Sequence, residues 1–61
     1  MLLNVQIQFS EYDNDWEVNV WDREEGERVE YLERIFPTEK DASDYVDSLA
    51  ADKQYDIIHI D

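Results

Sequence analysis

The apolar residues of this chain change period at Pro37, and that change limits the folds open to it. Before Pro37 they recur every second residue. Leu3, Val5, Ile7 and Phe9 point one way while Asn4, Gln6 and Gln8 point the other, the pattern of a half-buried strand. A second alternation sets Trp16, Val18 and Val20 against Glu17, Asn19 and Trp21. Between them the polar run Ser10 to Asp15, with Asp13-Asn14-Asp15, reads as a turn. Arg23 to Glu27 reads as another, with Gly26 free to take positive φ. A third strand is expected over Arg28 to Phe36. Val29 and Tyr31 share a face there, but Leu32, Ile35 and Phe36 break phase, which predicts a bulge or an early end.

After Pro37 the period becomes that of a helix. Proline disfavours helical backbone at Phe36, and Thr38 with Asp41 three residues on resembles a capping pattern. Ala42, Tyr45, Val46, Leu49 and Ala50 then form one apolar stripe. Glu39 and Asp41 fall in the first turn and Lys53 is expected in the last, each complementing the helix dipole. A final strand is expected over Tyr55 to Asp61, with Ile57, Ile58 and Ile60 as its apolar content. The fold class is therefore α+β, a small β-β-β-α-β domain. A three-strand meander carries one helix on one sheet face, and a C-terminal strand beside the first gives the order 3-2-1-4. Residues 1–61 make a single domain. A domain this small buries only about 60% of its unfolded surface, and with no cysteine to staple it, packing must hold the fold.

Charge is the second constraint. Seventeen Asp or Glu face five Lys or Arg, a net charge of −12. The aromatic and β-branched content separates the chain from disordered acidic segments. Direct binding to nucleic acid or to an anionic membrane is disfavoured by sign. Met1-Leu2-Leu3 is too short and lacks the basic flank of a signal peptide, and no apolar run approaches the roughly 20 residues of a membrane span. The expectation is a cytoplasmic protein.

Candidate chemistry is sparse. His59 is the sole histidine and reads as a surface imidazole rather than a general base, which needs a positioned partner and a pocket. No cysteine nucleophile, glycine-rich phosphate loop or nucleophile elbow is present, and no enzymatic activity or cofactor is expected. Glu11, Asp13, Asp15 and Glu17 alternate like calcium-loop ligands, but the sixth and twelfth places counted from Glu11 hold Trp16 and Asp22 in place of the required Gly and Glu, so no dedicated metal site is expected.

The acids themselves are the strongest signal. Asp41, Asp44 and Asp47 follow i, i+3, i+6 spacing on the helix side away from the apolar stripe. Successive carboxylates rise by roughly 4.5 Å along the axis, comparable to the roughly 3.4 Å per nucleotide of one DNA strand. Glu11, Asp13 and Asp15 form a second cluster, and Asp22, Glu24, Glu25 and Glu27 a third. Trp21, ringed by polar residues on the face away from the helix, is a candidate binding anchor or else part of a minor apolar cluster.

In size, charge and element order the chain resembles small acidic phage-type inhibitors: DNA mimics, anti-restriction and anti-CRISPR proteins. Asp15-Trp16-Glu17-Val18 followed by Phe36-Pro37-Thr38-Glu39-Lys40-Asp41-Ala42 also resembles small bacterial and archaeal β-β-α-β domains. Neither resemblance brings functional residues with it. The first implies a non-enzymatic inhibitor that occupies the basic groove of a nucleic-acid-binding protein. The alternative is a halophile's small acidic domain, or an accessory subunit, whose charge serves solubility; only two lysines are present, as that reading requires. A monomer is favoured by self-repulsion, although an exposed edge strand could still pair.

Overall fold

The computed structural model describes residues 1–60. Strand β1 is Leu2–Ser10, β2 Asp15–Asp22, β3 Arg34–Phe36 and β4 Asp56–His59, with helix α1 spanning Glu39–Ala51 between β3 and β4. The sheet order is β3-β2-β1-β4, as the sequence predicts. β1 and β2 form a long antiparallel hairpin with Val5 opposite Val20 and Ile7 opposite Val18. β4 runs parallel to β1, and β3 is antiparallel to β2.

One face of this sheet is the core. Leu3, Val5, Val18 and Val20 are buried on it, and Ala42, Val46 and Leu49 of α1 close over them. Val29 and Leu32, from the segment between β2 and β3, complete the cluster. Burial falls off toward the hairpin tip. Ile7 is half-buried and Phe9 exposed, although both share the phase of Leu3 and Val5. There Phe9 and Trp16 pack on each other, ring centroids 5.1 Å apart. The tip turn is Glu11 to Asn14, with Asn14 at φ 56°, a left-handed conformation that Asn tolerates.

The helix begins where the sequence places it. The Thr38 hydroxyl accepts from the Asp41 N–H at 3.2 Å, satisfying one of the orphan donors of the first turn. Two details differ at its other end. Ala50 is exposed rather than part of the apolar stripe, and α1 stops at Ala51, so Lys53 lies beyond the last turn, which has no basic residue. Tyr45 is half-buried; its hydroxyl donates to the Leu32 carbonyl at 2.5 Å, tying helix to loop. The last strand is also shorter than expected, and Asp61 lies outside the described residues.

The main departure is the third strand. A continuous strand from Arg28 to Phe36 does not form. Arg28 makes a single bridge to Trp21, Glu30–Leu32 is a 3-10 turn, and regular pairing resumes only at Arg34. Val29 and Tyr31 do not share a face: Val29 is buried and Tyr31 is 66% exposed. The reason lies in the spacing. Val29 and Leu32 are three apart, and a tight turn brings such a pair to one side, burying both. The cost is a gap in the ladder beside Val20, whose carbonyl is met by the Val29 N–H at 2.9 Å. Its N–H is met by a side chain, Oε2 of Glu33, at 3.1 Å.

Candidate functional site

The topology sorts the acidic clusters by position. β3 runs toward the hairpin tip, since Phe36 pairs with Trp16, so α1 starts at that end of the sheet. It ends at the opposite edge of the body, where β4 begins with Asp56 beside Leu2. Glu11, Asp13 and Asp15 therefore lie at the end where Glu39 and Asp41 open the helix. Asp22, Glu24, Glu25 and Glu27 lie at the end where the helix stops. Asp41, Asp44 and Asp47, all exposed, run between the two ends along the outer side of α1.

Several acids also have local work. The Asp22 carboxylate, half-buried, accepts the N–H groups of Glu24 at 2.9 Å and Glu25 at 3.2 Å. It thus folds the turn that carries the third cluster. Gly26 sits at φ 73° in that turn, and its N–H closes on the Asp22 carbonyl at 2.7 Å. Asp44 is paired with Lys40 at 2.8 Å, an exposed i, i+4 pair on the helix. The Lys40 ammonium is held above its usual range, first by that hydrogen bond and then by the charge of Asp44. Glu33 is paired with Arg28, also at 2.8 Å. Arg34 makes no ion pair among the described residues; its guanidinium donates to the carbonyls of Tyr31 and Glu33 and lies over the Tyr45 ring. These two ion pairs are the ones formed among the described residues, so most acids there are uncompensated by a direct contact.

Trp21 stands apart from the helix stripe. Alternation from the buried Val20 puts it on the sheet face away from α1, opposite Asn4. It is half-buried rather than fully exposed, and the Arg28 guanidinium lies over its ring at 5.8 Å. Around it the open face carries Asn4, Gln6, Gln8 and Asn19, the last accepting from Arg28 at 3.1 Å. A flat partner lying on the helix cannot also reach Trp21 on the far side of the sheet. The eleven candidate residues thus form one helical line, two acidic ends and one isolated aromatic.

The third cluster borders a surface depression of about 710 Å³, lined by Asp22, Glu25, Glu27 and Glu30 together with Arg28 and Tyr31. The acids of the hairpin tip do not converge: among the described residues no three His, Asp or Glu side chains are close enough to share an ion. His59 ends the edge strand β4 and is exposed. No helix among the described residues is long and apolar enough to cross a membrane.

Comparisons with protein-family models, with curated proteins and with solved structures each found no match.

The sequence misses Glu33. Its carboxylate accepts from the Val20 amide and from both Nε and Nη2 of Arg28, joining the open face to the broken ladder. A lone Glu in an acidic chain gives no signal of such a role. What could have flagged it is the loss of strand phase at Leu32.

Proposed function

We propose that this chain is a non-enzymatic acidic mimic of nucleic acid, which inhibits a nucleic-acid-binding protein by occupying its basic groove. The observation that supports it is the course of exposed carboxylates. Asp41, Asp44 and Asp47 line the outer side of α1, and an acidic turn lies at each end of the helix. The charge density is of the right order. A net −12 on a body 31 Å long is about one charge per 2.6 Å, between roughly 3.4 Å for a single strand and roughly 1.7 Å for a duplex. Attraction of this kind speeds encounter and fixes orientation more than it adds contact energy. In this reading the chain acts in the cytoplasm.

The test is capture. The immobilised chain is exposed to bacterial lysate at about 50 mM and about 200 mM salt, a range over which phosphate-like contacts weaken steeply. Nucleic-acid-binding proteins are expected at the lower salt, released by added duplex DNA. Captured proteins that duplex DNA does not displace would refute the reading.

A second reading takes the same acids, at both ends and along the helix, as a solvating surface, and the count of only two lysines favours it. In that case the charge serves solubility in high salt. Folding that requires molar salt, with no basic protein retained, would favour it.

A further inference from the structure

The two free edges of the sheet are built differently. β3 is three residues long, carries Arg34 and runs into Pro37. Shortness, charge and proline are the devices that keep an edge from pairing with another chain. β4 is one residue longer and opens on the exposed Asp56, but from Ile57 onward it has neither acid, lysine, arginine nor proline: Ile57, Ile58 and His59 lead into Ile60. The Asp56 N–H donates to the Met1 carbonyl and the Ile60 N–H to the Val5 carbonyl. Residues 56, 58 and 60 therefore turn their backbone groups toward β1, and those of Ile57 and His59 point out from the free edge.

We propose that β4 is a pairing edge for a second copy of this chain, the two copies joining antiparallel about a two-fold axis. The outward groups fix the register. Ile57 of one copy exchanges reciprocal hydrogen bonds with His59 of the other, and the two Ile58 residues meet at the centre. That position is not hydrogen-bonded, so the Ile58 Cα atoms approach to about 4.5 Å. Ile58 and Ile60 are 36% and 38% exposed and have apolar surface left to bury. In this register Asp56 lies opposite Ile60 of the other copy, and no like charges face each other. The product is one continuous sheet with both helices on the same side.

Repulsion between two bodies of net charge −12 opposes the union. The Debye length is roughly 30 Å at about 0.01 M salt and roughly 3 Å at about 1 M. Pairing therefore strengthens with salt, the reverse of an acidic surface seated in a basic groove, so this inference and the proposed function fail separately.

Sedimentation equilibrium of the full chain at those two salt concentrations is the test. A monomer is expected at low salt and a dimer at high salt. His59→Pro deletes an outward N–H without touching a bond to β1, and should weaken the dimer about tenfold or more. Ile58→Lys sets two ammonium groups at the two-fold axis and should do the same. Its side chain lies on the open face, so it carries the test if circular dichroism shows the proline variant unfolded. A monomer at every concentration in about 1 M salt overturns the proposal. So does a dimer that neither variant weakens.

Discussion

Glu33 offers the sharpest test of how this fold tolerates a broken strand. Its side chain is 17% exposed and 2.8 Å from Arg28, while its Oε2 also accepts the Val20 N–H at 3.1 Å. Val20 is fully buried at the centre of the core, and a backbone donor there needs a partner. In Glu33→Ala the N–H loses a charged acceptor, a loss of about 1.5–3 kcal/mol. The Arg28 ion pair adds little, about 0–1 kcal/mol, because Arg28 is largely exposed. The expected total is about 2 kcal/mol. Native stability scales at about 0.05–0.15 kcal/mol per residue, or roughly 3–9 kcal/mol for a chain of this length. The substitution thus removes roughly a fifth to two-thirds of it and lowers the thermal midpoint by about 15 °C. Glu33→Gln keeps an acceptor for Val20 and loses only charge, so it should cost about 1 kcal/mol or less. Urea unfolding followed by tryptophan fluorescence measures both, and hydrogen exchange at the Val20 amide gives the local view. A Glu33→Ala variant within about 0.5 kcal/mol of the parent would refute the reasoning. Equal losses in the two variants would shift the stabilisation from the backbone bond to the ion pair.

Three further expectations follow from charge and packing. Replacing Asp41, Asp44 and Asp47 together with Asn should abolish lysate capture while moving the urea midpoint little, since relief of like-charge repulsion offsets the lost exposed Lys40–Asp44 pair; retained capture would remove the helix from the interface. Trp21→Ala should lower stability by about 1–2 kcal/mol through lost burial and the lost Arg28 contact, with capture kept; a folded variant that captures nothing would make Trp21 the anchor. Alkaline pH should destabilise the fold. The Lys40 ammonium is held above 10.5 by Asp44, so its contribution is present below that value and lost as pH rises through the folded value. The Tyr55 phenol is raised above 10.0, first by burial and then by Tyr31 and Asp52. The folded state therefore keeps that proton longer than the unfolded chain does, and stability falls as pH climbs past about 10. A urea midpoint that stays flat between about pH 9 and 11 would contradict both.

The alternation of Leu3, Val5, Val18 and Val20, and the change of period at Pro37, determined the hairpin, the helix and the face on which they meet. These are local patterns with fixed periods, and a face that must be buried leaves little freedom in register. The capping threonine at Thr38 and the positive φ at Gly26 were legible for the same reason: each is a property of a few adjacent residues. The acidic clusters could be named from the chain, since carboxylates interleaved with core positions have nowhere to go but the surface.

Their arrangement was decided in three dimensions. That the hairpin tip meets the helix start, and the Asp22–Glu27 turn its end, follows from β3 running antiparallel to β2, a direction that the expected meander implied but no local pattern states. The side of the sheet that Trp21 takes was legible from alternation with Val20; that the Arg28 guanidinium would lie over its ring was not. The third strand gave way because burying Val29 and Leu32 together outweighed continuing a ladder, and that competition is settled only once the helix is in place to receive them. Glu33 then acquired its role from the gap so opened, at a distance of 13 residues from the amide it satisfies. Short-range periodicity can name the elements; which side chain repairs a break between them depends on how they pack.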